Sequence, residues 1–317
     1  MEDFVQPMDI GTDINGYRIK DYLNRGGYSM VYLVESIKFR RLFAAKVIKI
    51  CSNTYEMKMS FDNEVKSLMK LDHPNIIRLY EYFVHNQSYV LILEYCPGGS
   101  LSDEIEKYGP LPEARFKSIS KQIIEALEYS HSKKVAHHDI KPQNILFDSF
   151  GRPKLADFGI SVCESSNGFN NNFHYSLAYA SPEILLKKIH NPLKADIWSL
   201  GVTLAYSLIG EIPFSQQSEE TLTQSIINGF FCFPNGMPDG ALRFFRRVLK
   251  PDPSKRPSAT NVLKDTYFTN IIEVNENDIG NIPLPYIRGK MKMSRRSSMN
   301  VIKTNAIVMS QIVFYRR

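Results

Sequence analysis

Two short polar motifs in the middle of the chain constrain its fold and chemistry more than any other feature. The first is HHDIKPQN at residues 137–144, and the second is DFG at residues 157–159. Within the first motif, Asp139 can accept a proton from a hydroxyl group, and Lys141 can neutralise charge on a phosphoryl group that is being transferred. The two motifs therefore predict a centre for phosphate chemistry.

The same motifs supply candidate metal ligands, because Asn144 and Asp157 carry the hard oxygen atoms that Mg²⁺ prefers. In order and spacing the pair resembles the H-R-D-x-K-x-x-N and D-F-G motifs of eukaryotic protein kinases. His138 stands where these kinases usually have arginine. The resemblance implies that Asn144 and Asp157 bind Mg²⁺ together with ATP.

The resemblance also implies the fold and its divisions. The expected fold is α+β and bilobal, with a small, mainly antiparallel β N-lobe that holds one key helix and a larger, mainly α-helical C-lobe. We expect an N-terminal extension at residues 1–16, a protein kinase domain at residues 17–268 and a basic C-terminal tail at residues 269–317. The N-lobe would span residues 17–94 and the C-lobe residues 95–268.

A glycine turn between two predicted strands resembles the family's nucleotide-binding loop, G-x-G-x-x-G-x-V. Gly26 takes the second glycine position, Asn24 the first, Ser29 the third and Val31 the closing valine. Only Gly26 is kept of the three glycines, so this stretch by itself indicates a plain hairpin. Because asparagine adopts positive φ more readily than most residues, we expect Asn24 to help make the turn over the phosphates.

A lysine in an apolar strand follows this turn. Lys46 matches the family lysine that binds the α- and β-phosphates and pairs with a glutamate on the next helix. An apolar stripe predicts that helix at residues 58–71, with Glu64 beside the stripe. Asp62 and Glu56 are alternative acidic partners. We prefer Glu64 because the sequence that follows it matches the family's run from the helix to H-P-N-I.

The adenine pocket is assigned by resemblance alone. The change from strand to Pro and Gly at residues 95–100 matches the hinge between the lobes, where the backbone of Glu94 and Cys96 would contact the adenine edge, with Leu93 behind it. Apolar residues would cover the two faces of the base: Val31, Ala44 and Leu146.

Landmarks further along the chain match the substrate-binding lobe. The activation segment would end in SLAYASPE at residues 176–183, and Glu183 would pair with Arg256. Asp196 is expected to accept hydrogen bonds from backbone N–H groups of the catalytic loop. Lys141 and Ser176 resemble the serine/threonine branch, in a group similar to calmodulin-dependent and AMP-activated kinases.

Charge and cysteine usage limit the partners and the location. The net charge is +6, but residues 279–317 hold eight Lys or Arg and no Asp or Glu, which leaves −2 for the first 278 residues. We therefore expect no nucleic acid to bind. The basic tail is a solvated segment, an autoinhibitory or calmodulin-binding segment, a contact for an anionic membrane, or the site of another regulatory partner. The four widely spaced cysteines, the absence of an apolar leader and the absence of a long apolar run predict a cytoplasmic protein without a transmembrane segment.

Taken together, the sequence predicts a serine/threonine protein kinase that transfers the γ-phosphoryl group of ATP, with Mg²⁺, to protein substrates. Asp139, Lys141, Lys46 and Glu64 are the predicted catalytic residues. The alternative is a pseudokinase, in which the same fold serves as an allosteric or scaffolding module. Asn24 and His138 are the departures from the family pattern that favour this alternative.

Overall fold

The computed structural model describes residues 8–25, 29–50, 54–159, 161–163 and 176–269. Within these ranges, no helix has the length and hydropathy needed to cross a lipid bilayer. Gly26 and the basic tail beyond residue 269, both subjects of sequence predictions, lie outside the described ranges, and so do Ser165 and Ser166.

An antiparallel sheet of six strands forms the first lobe. The strands are β1 (Asp13–Ile14), β2 (Tyr17–Arg25), β3 (Ser29–Ser36), β4 (Leu42–Lys49), β5 (Leu79–His85) and β6 (Ser88–Leu93). They pair in the order β1-β2-β3-β4-β6-β5. Strand β1 lies inside the predicted N-terminal extension and pairs with β2. The sheet therefore begins before residue 17.

One helix of the described ranges, α1 (Thr54–Leu68), belongs to this lobe, and the helices after β6 form the second lobe. These are α2 (Leu101–Tyr108), α3 (Glu113–Ser132), α4 (Pro182–Leu185), α5 (Pro192–Ile209), α6 (Glu219–Asn228), α7 (Asp239–Val248), α8 (Ala259–Leu263) and α9 (Thr266–Thr269). Two short antiparallel pairs lie between α3 and α4: β7 (Val135–Ala136) with β10 (Val162–Cys163), and β8 (Ile145–Phe147) with β9 (Pro153–Leu155). This architecture confirms the predicted α+β class.

The alternation of side chains along β4 aims Lys46 at α1. Successive side chains of a strand point to opposite faces of the sheet. Ala45 and Val47 enter one apolar core, whereas Ala44 and Ile48 belong to a second core that also contains residues of α1. Lys46 shares its face with Ala44 and Ile48, so its ammonium group extends toward α1.

Helix α1 ends three residues earlier than predicted. The apolar stripe continues to Leu71, which is buried, but the helix ends at Leu68 and residues 69–70 form a turn. After Leu68 the chain closes in a tighter turn, in which the Leu71 N–H donates to the Leu68 main-chain oxygen at 3.2 Å. Periodicity alone extended the helix because Leu71 packs in the same core from a non-helical position.

Helix α5 is the centre of the second lobe and is buried along most of its length. Asn191 caps its first turn by accepting a hydrogen bond from the Leu193 N–H at 2.9 Å, and Gly210 ends it in a left-handed conformation with φ of 80°. Trp198, on this helix, has no exposed surface and packs beside Phe214. The helix thereby provides a rigid base under the loop that contains Asp139.

Candidate active site

The catalytic-loop motif is fixed by the buried carboxylate of Asp196 on α5. Its two oxygen atoms accept hydrogen bonds from the N–H groups of His137 and His138, each at 2.8 Å. His131, at the end of α3, places its Nε2 2.9 Å from the same carboxylate. Because a buried carboxylate is costly unless it is hydrogen bonded, these contacts fix the backbone that leads to Asp139. The contacts predicted for Asp196 are therefore present, and His131 is a partner that sequence analysis missed.

Asp139, Lys141 and Asn144 form one hydrogen-bonded group. Lys141 Nζ lies 2.7 Å from Asp139 Oδ2, and Asn144 Nδ2 donates to the same oxygen at 2.8 Å. Asn144 Nδ2 also donates to the main-chain oxygen of Asp139 at 2.9 Å, and Lys141 Nζ donates to Ser176 Oγ at 3.1 Å. The group combines a carboxylate that can accept a proton with an ammonium that can offset negative charge.

The short pair of β8 and β9 brings the two predicted metal ligands to the same end. Asn144 comes directly before β8, Asp157 follows β9 by two residues, and the Ala156 N–H donates to the Asn144 main-chain oxygen at 2.8 Å. The amide nitrogen of Asn144 donates to Asp139, so the amide oxygen is the atom of this side chain that could bind a metal ion. The side chain of Asp157 is 46% exposed.

This donor set fits Mg²⁺, which prefers hard oxygen ligands and usually keeps phosphate oxygens or water among them. Nowhere in the described part of the chain do three or more His, Cys, Asp or Glu side chains cluster in a metal-binding arrangement. A metal ion at Asn144 and Asp157 would therefore complete its coordination with phosphate oxygens and water.

Lys46 joins the two lobes through ion pairs. Its Nζ lies 2.7 Å from Glu64 Oε2 on α1 and 2.7 Å from Asp157 Oδ1. Burial lowers the pKa of Lys46, but the charges of Asp157 and Glu64 outweigh burial and raise it overall. The Lys46 ammonium lowers the pKa of Asp157 to about 2, so Asp157 is ionised at neutral pH. Glu64, the acidic partner preferred from the sequence, is therefore in contact with Lys46.

Glu64 is completely buried, and burial raises its pKa despite the nearby ammonium. Its second oxygen, Oε1, has no hydrogen-bond partner within the described residues. A buried carboxylate with one unsatisfied oxygen depends on its single cationic partner. The position of α1 therefore decides whether Glu64 contacts Lys46.

The predicted adenine pocket lies at the junction of the lobes. Ala44 and Leu93 are paired opposite each other in β4 and β6, and each is 9% exposed. Val31, Leu146 and Cys96 are partly buried and pack against the same core. The structure thus brings the apolar residues assigned to this pocket into one region.

The hinge backbone has groups available for a ligand. The Glu94 N–H donates to the Arg78 main-chain oxygen at 2.9 Å. Within the described residues, the Glu94 C=O and the Cys96 N–H make no hydrogen bond to the protein. A carbonyl acceptor and an N–H donor two residues apart can pair with the edge of a heterocyclic base.

Lys154 is a residue near this pocket that sequence analysis did not identify. It is 6% exposed, and its Nζ lies 2.7 Å from Glu94 Oε1. The ion pair fixes the side chain of Glu94 behind the hinge. The sequence feature that could have identified Lys154 is its place in the apolar strand before Asp157, since a lysine in an apolar strand is the pattern that identified Lys46.

The expectation that Asn24 adopts positive φ and makes the turn is wrong. Asn24 is in β2, where it pairs with Val31, and it is not among the residues with positive φ. Its Oδ1 accepts a hydrogen bond from the Arg25 N–H at 2.7 Å. The strand continues through Asn24 because its pairing with β3 continues as far as Arg25. Gly26, the other predicted residue of this loop, lies outside the described ranges.

The predicted pair of the substrate-binding lobe is also present. Arg256 donates to both carboxylate oxygens of Glu183, at 2.6 and 2.5 Å, and both side chains are buried. Glu183 belongs to the short helix α4 that follows the activation segment. This ion pair fixes the end of that segment to the helical lobe.

His138 replaces the usual arginine and is buried, at 8% exposure, with a φ of 68°. Burial lowers its pKa to about 4; the charge of Asp196 opposes this shift, and His190, His137 and His131 add to it. The side chain is therefore neutral at pH 7.

We expect this histidine to make the fold sensitive to acid. Its pKa is 6.5 in the unfolded chain and about 4 in the folded protein, so the unfolded state binds more protons between those values. The free energy of unfolding should fall by up to about 3 kcal/mol as pH drops from 6.5 to 4, and this contribution should be complete above pH 6.5. Urea unfolding of wild type and His138→Asn at several pH values measures it. If the free energy of unfolding changes equally with pH in the two proteins, the expectation is contradicted.

Comparison with known proteins places this site in a known family. Residues 17–268 match the family model described as the protein kinase domain. CBL-interacting serine/threonine-protein kinase 7 of Arabidopsis thaliana is 31% identical over 265 residues, which cover 82% of this chain and 62% of that protein. CBL-interacting protein kinase 21 of Oryza sativa subsp. japonica is 31% identical, covering 84% of this chain and 52% of that protein.

A third relative, the carbon catabolite-derepressing protein kinase of Candida tropicalis, is 30% identical and covers 92% of this chain and 47% of that protein. The chain thus spans between 47% and 62% of the length of these three relatives. Together they confirm the predicted resemblance to serine/threonine protein kinases of the calmodulin-dependent and AMP-activated-like group.

Proposed function

The chain belongs to the protein kinase family, and we propose that it transfers the γ-phosphoryl group of ATP to serine or threonine hydroxyls of protein substrates. The observation that carries this proposal is the contact network of Asp139 with Lys141 and Asn144, next to the ion pairs of Lys46. Each group needed for phosphoryl transfer is within hydrogen-bond reach of another.

The proposed chemistry follows from these positions. Asp139 orients the substrate hydroxyl and accepts its proton as the hydroxyl oxygen bonds to the γ-phosphorus. The bond from that phosphorus to the β,γ-bridging oxygen breaks, and ADP is the leaving group. Lys141, which contacts Asp139 and Ser176, offsets the negative charge on the transferred group. Lys46, held by Glu64, positions the α- and β-phosphates. Catalysis of this kind rests on positioning and electrostatics, because the phosphoryl group needs little covalent help from the protein.

The nucleotide and metal sites complete the proposal. The family generally uses ATP and Mg²⁺, and we assign Mg²⁺ to Asn144 and Asp157, where it would neutralise charge on the phosphate oxygens. We assign the adenine to the pocket at the hinge, with its edge toward the backbone of Glu94 and Cys96. The apolar residues Val31, Ala44 and Leu146 would cover its faces.

Transfer of labelled phosphate to a mixed set of serine and threonine peptides, with Mg·ATP and the full chain, tests this function. Label on serine or threonine that requires Mg²⁺ would support it. ATP binding without transfer would overturn it and favour the alternative of an allosteric or scaffolding module. The decisive variant, Asp139→Asn, is treated in the Discussion.

Further assignments rest on the sequence. We propose that residues 17–268 form the kinase domain and that the basic residues after 269 form a separate tail where a regulatory partner binds. Two of the relatives are named CBL-interacting kinases, and this similarity supports a regulatory partner for this chain. The wide spacing of the cysteines supports a reducing, cytoplasmic location.

The substitution at His138 leads to a prediction about regulation. An arginine in this position has a permanent charge suited to binding a phosphate, whereas His138 is buried and neutral at pH 7. We expect that activity does not require phosphorylation of Ser165 and Ser166. The double variant Ser165→Ala/Ser166→Ala should keep kcat within about twofold of wild type in the peptide assay, because a neutral histidine at position 138 cannot pair with a phosphate as arginine does. Loss of activity in this variant would contradict the prediction.

A further inference from the structure

Helix α1 carries two serines on the same face as Glu64. Ser60 lies four residues before Glu64, and Ser67 lies three residues after it. Residues separated by three or four positions are neighbours on one side of a helix. All three side chains therefore face the same part of the second lobe.

Both serines contact the segment that follows Asp157. Ser60 Oγ donates to the Gly159 main-chain oxygen at 3.0 Å. Ser67 Oγ lies 2.6 Å from Ser161 Oγ, and these two side chains are each 1% exposed. The contacts thus lie on either side of the Lys46–Glu64 pair along the helix.

Ser161 is also connected to the catalytic loop. It comes directly before β10, where Val162 pairs with Ala136 of β7. Ala136 is followed by His137, whose N–H is bound by Asp196. The hydroxyl contact of Ser67 therefore joins the helix that carries Glu64 to the strand pair that leads into the catalytic loop.

Gly159 shows how closely the two segments pack at this point. A Cβ atom on Gly159 would lie 3.1 Å from Ser60 Oγ, 3.2 Å from Asp157 Oδ1 and 3.5 Å from Glu64 Oε2. A side chain at this position would require its neighbours to shift slightly, because α1 and the segment after Asp157 are in direct contact. The serine hydrogen bonds are formed within this contact.

We propose that Ser60 and Ser67 are positioning residues, and that their hydroxyl contacts with Gly159 and Ser161 form a latch that keeps α1 where Glu64 can hold Lys46. This inference rests on the proposed function for its effect on catalysis. The latch acts through Glu64, whose only contact with a cation is Lys46 within the described residues. When the latch is absent, Lys46 is held less of the time and kcat falls.

Variants of the Ser67–Ser161 pair test the latch, because they distinguish an effect on stability from an effect on catalysis. Ser67→Ala leaves the Ser161 hydroxyl buried without a partner, and this should lower both the melting temperature and kcat, the latter about tenfold. In the double variant Ser67→Ala/Ser161→Ala no hydroxyl is left unsatisfied, so the melting temperature should recover. The latch is still missing, so kcat should stay about tenfold low.

Three further variants make the test specific. Ser207→Ala is the control, because it removes another buried serine hydroxyl. This hydroxyl lies on α5 and donates to the Thr203 main-chain oxygen at 2.7 Å, and its loss should leave kcat unchanged. Ser60→Ala should lower kcat in the same direction as Ser67→Ala. In a Glu64→Gln background, Ser67→Ala should cause no additional loss of kcat, because the residue through which it acts is already changed.

Hydrogen exchange of the full chain provides a readout that does not depend on activity. The latch predicts that Ser67→Ala/Ser161→Ala speeds exchange of residues 54–68 and 157–163 together, whereas Ser207→Ala does not. If kcat recovers with the melting temperature in the double variant, or if exchange of α1 is unchanged, the latch is overturned. If wild type transfers no phosphate but the coupled exchange is present, the proposed function fails and the latch stands.

Discussion

Asp139→Asn should lower kcat for peptide phosphorylation by about 10²- to 10⁴-fold, the range that a general base contributes. The change keeps the size and shape of the side chain, which receives a hydrogen bond from Asn144 at 2.8 Å and lies 2.7 Å from Lys141. An amide cannot accept the proton of the substrate hydroxyl, and it removes the charge that pairs with Lys141. The loss should therefore appear in kcat, with the KM for ATP little changed.

The measurement is the initial rate of phosphate transfer over a range of ATP and peptide concentrations, with unfolding curves recorded to show that the variant is folded. Asp148→Asn is the matched control, because Asp148 also pairs with a cation, Arg152 at 2.7 Å, but lies outside the catalytic group. It should keep kcat near that of wild type. An Asp139→Asn variant within tenfold of wild type would contradict the role of Asp139 as base.

Glu183→Gln should lower the free energy of unfolding by about 3–5 kcal/mol, because it leaves the Arg256 guanidinium buried without its charge partner. Arg256 is 2% exposed, and all five of its N–H donors are used. Two go to Glu183, and the others go to the main-chain oxygens of Lys250, Lys194 and Pro251 at 2.6 to 3.0 Å. A loss of this size is a large part of the total stability of an ordinary domain.

Urea unfolding of the full chain measures this loss. Lys20→Met is the matched control, because the Lys20–Glu35 pair is exposed, at 44% and 25% of the side chains, and such pairs contribute less than about 1 kcal/mol. The double variant Glu183→Gln/Arg256→Met should be more stable than Glu183→Gln alone, since it no longer buries an unpaired charge. If Glu183→Gln and Lys20→Met lower the free energy of unfolding equally, the buried pair contributes no more to stability than an exposed pair, and the prediction is contradicted.

The fold class could be predicted from the sequence because local patterns and long-range architecture agree. Alternating strands before the hinge and apolar helices after it correspond to the two lobes observed. The errors concern the ends of elements, where strand pairing or a local turn overrides the pattern of residues. Asn24 was expected in a turn, but its pairing with Val31 extends the strand, and α1 ends at Leu68 although Leu71 continues the apolar stripe.

The sequence by itself determined the chemical groups of the site, because Asp139, Asn144 and Asp157 lie within a span of 19 residues whose short loop and strand pair hold them together. The covalent spacing of the chain limits how far apart such groups can be. Only the tertiary structure decided which acidic residue holds Lys46 and which side chain supports Asp196. It also decided that Ser67 contacts Ser161, which lies 94 residues further along the chain. These contacts depend on how helices and strands pack, and the spacing of residues along the chain does not specify that packing.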